Sequence, residues 1–475
     1  MLTSEFAETL PELARDVRAR SAPAPRVLAL NTDLARHLGL DDETARTPEG
    51  IRLLTGERLP AGARPVAQVY AGHQWGRFTP LLGDGRALLA GEFVTPAGRV
   101  DLHFKGIGPT PLSRIDGNAA VGPMLREFLF GEAMHALGVP TTRALAVTAT
   151  GATFVRDGVE RPGAVLARTA RSHLRIGTVE YAAAAESASG EPGLLRRVAD
   201  HAIARLYPEA AAAAERYEAL YEQIVGAHAR LTAQWMGLGF VHGVLSTDNV
   251  TLSAETIDYG PCAFLDRYRP DSWFSSIDAH GRYAYDRQPE IMAWNIARLG
   301  EALAPLFSDP DAVIARGIAH FADRYAGERT EVFRAKLGLP PAAPAAALAD
   351  GLLALLEAES IDATVFFRAL GRAADGEDAV VTGHVIDTGR LRSWLARWRA
   401  WHPSSEVILQ TNPVYIPRNH LVDAALEGAE RGDLTAWRAL LAAVRRPFAE
   451  RSDLPDDYRF GAPDGAPAHV TFCGT

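Results

Sequence analysis

Apolar and polar residues alternate in short runs between residues 64 and 170, and helical spacing dominates from residue 194 onward. The alternating runs are separated by Asp-Gly and Pro-Ala-Gly turns, which is typical of hairpin strands. The predicted strands cover residues 87–94, 100–104, 144–148 and 164–168. One amphipathic helix, residues 124–137, interrupts them and is followed by Gly138, the residue that commonly ends a helix.

The remaining apolar periodicity predicts helices on both sides of this strand-rich segment. The predicted helices cover residues 6–19, 31–38, 194–206, 210–236, 289–306, 309–327 and 346–358. The proline-rich residues 339–344 form a break between two of these helices. About five strands with a single helix is the make-up of a protein-kinase N-lobe. We therefore predict an α+β, two-lobed kinase-like fold, with an N-terminal extension (1–60), a β-rich N-lobe (61–170) and a helical C-lobe (171–475).

Composition narrows the class of protein. The 475 residues are 47% hydrophobic and 23% charged, which is typical of a soluble globular protein. No run approaches the roughly 18 apolar residues of a membrane span, and the N-terminus lacks the features of a secretory signal. Two cysteines fit a reducing compartment, and a net charge of −9 disfavours nucleic acid as the main partner. We expect a cytoplasmic monomer that binds neither membrane nor nucleic acid.

Two strings in the second half have the layout of a kinase catalytic loop and its metal motif. His242-Gly243-Val244-Leu245-Ser246-Thr247-Asp248-Asn249 matches H-R-D-x-x-x-x-N, and Asp258-Tyr259-Gly260 matches D-F-G. Val244 stands where a kinase has its catalytic aspartate, and valine cannot accept a proton. Asn249 and Asp258 supply the hard oxygen ligands that suit Mg²⁺ or Mn²⁺. Asp248 is the remaining carboxylate in the loop and the candidate general base.

The strand-rich segment supplies the matching phosphate-side residues. Gly83, Gly85 and Arg86 precede a strand and have the pattern of a phosphate-binding loop. Lys105 ends a strand, and Glu127 follows 22 residues later on the single helix, as in the kinase lysine–glutamate ion pair. Taken alone, such a glycine-containing loop is more often a plain hairpin turn, and Lys105 and Glu127 would be exposed surface charges. The downstream motif favours the paired interpretation.

Two arginines stand at and after the end of the last predicted strand, Arg168 and Arg175. A planar guanidinium suits phosphate oxygens, so both are candidates for a triphosphate cradle. Two exposed arginines would be the alternative. Residues 106–118 form a loop that an ordinary kinase lacks at this point.

The chain closely resembles the selenoprotein O family, the YdiU-type proteins, over nearly its full length. The strings that carry the resemblance are Tyr70-Ala71-Gly72-His73-Gln74-Trp75-Gly76, Leu82-Gly83-Asp84-Gly85-Arg86-Ala87, Lys105-Gly106, Thr110-Pro111, Ser113-Arg114, Arg126-Glu127-Phe128, Glu132-Ala133, Pro140-Thr141-Thr142-Arg143-Ala144, Ser172-His173, His242-Gly243-Val244, Thr247-Asp248-Asn249, Thr256-Ile257-Asp258-Tyr259-Gly260-Pro261, Gly281-Arg282-Tyr283 and Gln288-Pro289.

The resemblance implies a pseudokinase-like fold that binds ATP in a flipped orientation and transfers AMP to Ser, Thr or Tyr hydroxyls of proteins, with UTP as a second possible donor. It implies nucleotide contacts from a set of residues in both lobes, metal ligation by Asn249 and Asp258, and proton acceptance by Asp248. The implied nucleotide contacts are Gly83, Gly85, Arg86, Lys105, Asp116, Gly117, Arg168 and Arg175. With the γ-phosphate held by the arginines, the α-phosphate would face the hydroxyl.

The chain departs from the family pattern at two places. One residue is missing after Lys105 relative to the family, which affects the transfer of Asp116 and Gly117. The family's cysteine after Tyr-x-Pro, which can pair with one near the C-terminus, is Phe274 here, whereas Cys473 is retained. We therefore expect activity that does not respond to dithiothreitol.

Three functions remain open from the sequence. The first is a metal-dependent protein adenylyltransferase, the second a conventional kinase with Asp248 as a displaced base, and the third a silent nucleotide-binding scaffold. Val244 disfavours the kinase. Joint retention of Lys105, Glu127, Asn249 and Asp258 disfavours the scaffold.

Overall fold

The computed structural model describes residues 2–96, 98–463 and 465–471. It is a mixed α+β structure in which strands dominate up to residue 170 and helices dominate from residue 176 onward. We call the two parts the sheet region (residues 2–170) and the helical region (residues 171–471).

The strands are short at the N-terminus and long in the middle of the sheet region. In chain order they are β1 (Leu2–Thr3), β2 (Ala14–Asp16), β3 (Arg26–Leu30), β4 (Val66–Gln68), β5 (Gly72–Gln74), β6 (Arg77–Thr79), β7 (Ala87–Thr95), β8 (Gly98–Lys105), β9 (Arg143–Arg156), β10 (Val159–Ala170), β11 (Phe240–Val241) and β12 (Ala263–Phe264).

Helices occupy most of the remaining chain. In chain order they are α1 (Glu5–Thr9), α2 (Thr32–His37), α3 (Asp42–Arg46), α4 (Pro48–Leu54), α5 (Val121–Ala136), α6 (Ile176–Ser189), α7 (Leu194–Leu206), α8 (Arg216–Leu238), α9 (Gln288–Leu303), α10 (Pro310–Lys336), α11 (Ala345–Ala358), α12 (Ala363–Ala374), α13 (Ala379–Thr382), α14 (Thr388–Arg399), α15 (Ser405–Thr411), α16 (Asn419–Glu430) and α17 (Thr435–Val444). Short 3₁₀ turns connect several of them, and one, Thr247–Asn249, lies in the candidate catalytic loop.

Eight strands form one antiparallel sheet in the order β2-β4-β7-β8-β10-β9-β3, with β1 paired to β7. The first thirty residues thus add three strands to the sheet. Lys105 lies between two neighbours, opposite Ala87 of β7 and Leu166 of β10. The strand lysine is therefore central in the sheet.

The predicted helix over residues 6–19 is wrong beyond Thr9. Pro11 begins a 3₁₀ turn, and Ala14–Asp16 forms a strand that pairs with Val66–Gln68. Proline lacks the backbone N–H that a continuing helix needs, and the partner strand is far away in sequence. The predicted helix over 31–38 is confirmed as α2, whose N-cap Asn31 accepts a hydrogen bond from Leu34 N at 3.3 Å.

The predicted strands and the predicted helix at 124–137 are confirmed. Helix α5 ends as predicted, because Gly138 has φ +78° and its N–H donates to His135 O at 3.0 Å. In the helical region the predicted helix over 210–236 begins only at Arg216, after a 3₁₀ turn at Pro208–Ala212. The helix predicted to end at 327 continues to Lys336.

Helix α5 joins the two regions. It packs against β9 and β10 on one side and against α16 and α17 on the other, and its middle is buried all round. Phe128 contacts Trp437 of α17 with ring centroids 5.5 Å apart. This burial leaves Glu127, on the same turn, with no access to bulk solvent except through the cavity described below. Among the described residues no helix is both long enough and apolar enough to cross a bilayer.

Candidate functional site

A cavity of about 870 Å³ lies between the sheet region and the helical region. This volume is that of a pocket for a small molecule of nucleotide size. Ten of the predicted site residues line it: Gly83, Gly85, Arg86, Lys105, Glu127, Arg168, Arg175, Asp248, Asn249 and Asp258. The structure thus brings together residues that are spread over most of the first 260 positions.

The glycine-containing loop is fixed to the sheet by the aspartate in its middle. Asp84 is buried and accepts hydrogen bonds from Gln68 N at 3.1 Å and from Tyr70 Oη at 3.4 Å. Burial alone would raise the pKa of Asp84, but His103, above all, lowers it to about 2. Gly83 has φ +117°, and a Cβ there would lie 2.7 Å from Gln68 O, so the position requires glycine.

Lys105 and Glu127 form the ion pair that their spacing predicts, and Asp258 joins it. Lys105 Nζ lies 2.8 Å from Glu127 Oε2 and 2.7 Å from Asp258 Oδ1. The strand, the helix and the Asp-Tyr-Gly motif therefore meet at one ammonium group.

Arg168 and Arg175 complete this cluster. Arg168 Nη1 contacts Glu127 Oε1 and lies 2.9 Å from Asp258 Oδ1, and Arg175 Nη1 lies 3.0 Å from Asp258 Oδ2. Burial alone would raise the pKa of Asp258, but Lys105, Arg168 and Arg175 hold it well below its usual value. Three cations face two carboxylates in a buried space, so the cluster carries one excess positive charge that suits an anionic ligand.

Arg175 also carries a buried donor without a partner. Its Nε makes no hydrogen bond within the described part of the chain. Its guanidinium lies 4.6 Å from the Tyr70 ring centroid, which orients the plane. An unpaired buried guanidinium N–H costs free energy, and a phosphate oxygen would satisfy it.

Asp258 has an unusual backbone conformation, with φ +61°. Left-handed backbone is uncommon outside glycine and is found at functional sites. The next residue, Tyr259, is buried and hydrogen-bonds Thr141 Oγ1. The Asp258 carboxylate contacts all three cations of the cluster.

The catalytic-loop string forms a tight turn over Thr247–Asn249. Asn249 Nδ2 donates to Val244 O at 3.0 Å, which leaves its amide oxygen for another ligand. The backbone carbonyl of Asp248 accepts a hydrogen bond from Arg175. His242 is buried outside the cavity lining, where its Nε2 hydrogen-bonds Ile257 O at 2.9 Å, so its role is structural.

Asp116 and Gly117 do not line the cavity. Asp116 pairs with Arg156 at 2.8 Å near the surface. Gly117 has φ +72° and lies so close to Gly108 that a Cβ would overlap its backbone. Both residues shape the loop at 106–118.

The donor set for a metal is small. No group of three or more His, Cys, Asp or Glu side chains that could hold a metal occurs within residues 2–96, 98–463 and 465–471. Asn249 and Asp258 nevertheless line the same cavity. One amide oxygen and one carboxylate fit Mg²⁺ or Mn²⁺ when phosphate and water supply the other ligands.

Among the polar residues at the cavity or its ionic cluster that were not predicted from the sequence as site residues are Tyr70, Gln74, Asp84 and His103. His103 Nδ1 lies 3.3 Å from Arg168 Nε, and His103 Nε2 lies 3.2 Å from Asp84 Oδ2, so this buried ring links the glycine loop to Arg168. The string at residues 70–76, which carries part of the family resemblance, contains Tyr70 and Gln74, but the sequence alone suggested no chemical role for them.

The redox prediction falls partly outside the described residues, because Cys473 is not among them. Phe274 O accepts a hydrogen bond from Thr471 N at 2.7 Å, so the described end of the chain runs beside this position. Cys262 is a buried free thiol, and burial raises its pKa to about 12.

Comparison with known proteins identifies relatives over the whole chain. Residues 2–445 match the family described as protein adenylyltransferase SelO. The chain is 53% identical to the protein nucleotidyltransferase YdiU of Mycobacterium sp. (strain KMS), over 100% of this chain and 99% of the relative. It is 50% identical to proteins of the same name from Pseudarthrobacter chlorophenolicus (100% and 98% covered) and Cereibacter sphaeroides ATCC 17023 (99% and 99% covered).

Proposed function

The chain belongs to the protein adenylyltransferase SelO family and is a nucleotidyltransferase, and we propose that it transfers AMP from ATP to Ser, Thr or Tyr hydroxyls of proteins. Membership in an adenylyltransferase family implies ATP as co-substrate. The proposal includes a kinase-like arrangement in which the sheet region is the N-lobe and the helical region is the C-lobe. It also includes a cytoplasmic monomer.

The observation that carries the proposal is the composition of the cavity. It holds a cationic cluster, a glycine loop, two oxygen donors for a metal and the carboxylate of Asp248 in the catalytic-loop string, while Val244 stands at the position of the kinase base. The cluster suits the β- and γ-phosphates, with Arg168 and Arg175 as the γ-phosphate cradle. Gly83, Gly85 and Arg86 belong to the same phosphate-binding wall.

In the proposed step the acceptor hydroxyl oxygen attacks the α-phosphorus of ATP. A new phosphorus–oxygen bond forms, the bond to the bridging α,β-oxygen breaks, and pyrophosphate leaves. Asp248 accepts the hydroxyl proton. Asn249 and Asp258 would hold Mg²⁺ or Mn²⁺, which when bound neutralises charge on the phosphates. Lys105, held by Glu127, orients the phosphate chain.

Incubation of the protein with ATP labelled separately at the α- and γ-phosphates tests the proposal. We expect covalent attachment of the α label to protein, including the enzyme itself. Attachment of the γ label alone would instead establish a kinase. Tight ATP binding without transfer of either label would establish a nucleotide-binding scaffold. Replacement of ATP by labelled UTP in the same assay measures whether UMP is also transferred.

A further inference from the structure

Strand β5 carries a set of contacts to the catalytic loop that the proposed chemistry does not yet use. The β5–β6 hairpin is closed by Trp75 and Gly76, whose φ angles of +56° and +76° are those of a type I′ turn. A tryptophan is strained in this conformation. It is held by Tyr283, whose ring lies 4.9 Å away and whose Oη accepts from Trp75 N at 3.3 Å.

The hairpin is fixed to the loop residue that precedes Asp248. His73 N donates to Thr247 Oγ1 at 2.7 Å, and Thr247 Oγ1 donates to Glu180 Oε2 at 2.7 Å. The other oxygen of Glu180 lies 2.6 Å from His73 Nδ1. The three residues thus form a closed ring of hydrogen bonds that fixes the position of the catalytic loop relative to β5.

Asp248 itself lies against the first residue of the strand. A Cβ at Gly72 would lie 2.8 Å from both Cβ and Oδ1 of Asp248. Any side chain at residue 72 would therefore displace the carboxylate. The absence of a side chain in this glycine lets the carboxylate reach the strand.

Gln74 contacts one oxygen of this carboxylate. Its Nε2 donates to Asp248 Oδ2 at 2.9 Å. The opposite amide orientation would place two acceptor oxygens together, so the donor assignment follows from chemistry. Asp248 Oδ1 is buried and has no hydrogen-bond partner among the described residues, and both side chains line the cavity.

We propose that Gln74 is a positioning residue for Asp248. Its amide donates to Oδ2 while Oδ1 lies buried against Gly72, and these two contacts together fix the orientation of the carboxylate. The inference rests on the proposed role of Asp248 as proton acceptor in AMP transfer. It predicts that Gln74 affects the rate of transfer through Asp248 and leaves ATP binding unchanged.

The test is a double-mutant cycle with Gln74→Met and Asp248→Asn, measured with α-labelled ATP. Methionine keeps the length of the side chain and removes the donor. We expect Gln74→Met to lower kcat about 10- to 100-fold, as misplacement of a catalytic group does. In the Asp248→Asn background the same change should have less than about a twofold effect, because the residue it acts through is gone.

Two further variants and two further measurements separate this role from nonspecific effects of the substitution. Gln74→Glu, which repels Asp248, should be slower than Gln74→Met. Gln410→Met removes a comparable contact, Gln410 Nε2 to Glu406 Oε1 at 3.0 Å, on the surface, and should transfer at the parent rate. The Kd for ATP by calorimetry and the thermal unfolding midpoint should match the parent for Gln74→Met.

Each other outcome overturns the inference. A parent-like kcat in Gln74→Met would show that the contact is not used. Equal losses in both backgrounds would show a role independent of Asp248, and a weakened Kd for ATP would make Gln74 a nucleotide contact. Failure of the parent protein to transfer the α label would instead contradict the proposed function, so the two failures are distinguishable.

Discussion

The protein has two lysines, one partly buried and one fully buried, and their surroundings differ completely. Lys105, in the sheet region, lies within 2.8 Å of the carboxylates of Glu127 and Asp258, and its side chain is 12% exposed. Lys336, at the end of α10 in the helical region, is 5% exposed. Its Nζ donates to Asn412 Oδ1 at 2.7 Å and lies 4.3 Å from the Phe367 ring centroid, and no carboxylate pairs with it among the described residues.

The difference shows how burial acts on a cation that has no anionic partner. Burial lowers the pKa of Lys336 to about 7, because desolvation penalises the ammonium and only a neutral amide and a ring oppose it. At Lys105 two carboxylates compensate the charge, and both of them also contact Arg168. The lysine of the cavity thus has anionic partners, whereas the lysine in the apolar core of the helical region has only neutral ones.

The largest expected effect comes from removing the carboxylate shared by all three cations of the site. Asp258→Ala should lower AMP transfer by about 10³-fold or more and weaken metal-dependent ATP binding, since it removes the proposed metal ligand and leaves the cations in mutual repulsion. Transfer of α label and calorimetry with Mg²⁺-ATP measure the two effects.

Asp248→Ala is the control for that experiment. It should slow transfer by about 10²-fold, the usual scale for losing a general base, and spare ATP binding. An equal loss of ATP binding in both variants would mean that Asp248 is a ligand and not a base.

The same substitution at both lysines tests the comparison directly. Lys105→Met should lower kcat/KM for ATP by about 10²-fold, because the phosphate-side cation is lost. Lys336→Met is the matched variant and should keep the parent kcat/KM, since Lys336 lies outside the cavity. A comparable loss of activity in both would show that the cluster around Lys105 has no special role.

Although Lys336→Met should leave activity unchanged, it should increase the stability of the fold. Lys336→Met should raise the free energy of unfolding at pH 7 by about 1 kcal/mol, because a poorly solvated amine is replaced by an apolar chain of similar shape. Denaturant or thermal unfolding measures the change. A clear destabilisation would mean that the hydrogen bond to Asn412 outweighs the desolvation cost.

The pH dependence of that difference follows from the lowered pKa. The native pKa of Lys336 is about 7 and the unfolded value is 10.5, so the unfolded chain binds the extra proton between these values. The contribution of Lys336 to stability therefore rises from pH 7 to 10.5 and is constant below pH 7. The stability advantage of Lys336→Met should shrink as the pH rises from 7 to 10. An advantage that stays constant would contradict the assignment.

The smallest expected effect is that of thiol chemistry. Cys262 is fully buried, and its Sγ lies 3.1 Å from Tyr259 O. A thiol with a pKa of about 12 is inert at neutral pH. Dithiothreitol should leave the transfer rate unchanged, and Cys262 should react with a thiol reagent only after unfolding. Rate changes that accompany a gel shift between oxidised and reduced protein would contradict this.

Much of the local structure was determined by the sequence alone. The central strands, α5 with its terminal Gly138, and the Asn249–Asp258 spacing all depend on nearby residues, so periodicity and motif spacing predict them. The Lys105–Glu127 pair was predicted in the same way and is confirmed by the 2.8 Å contact.

Only the tertiary structure decided the features that depend on distant partners. Residues 14–16 became a strand because β4 offers an edge, against their local helical pattern. Asp116 stayed outside the cavity, and Gln74 came to Asp248, although 174 positions separate the latter two in the chain. Lys336 looks like any helix lysine in the sequence, and only packing removes it from water. Local patterns record the propensity of neighbouring residues, whereas burial and cross-chain hydrogen bonds arise only when distant segments pack together.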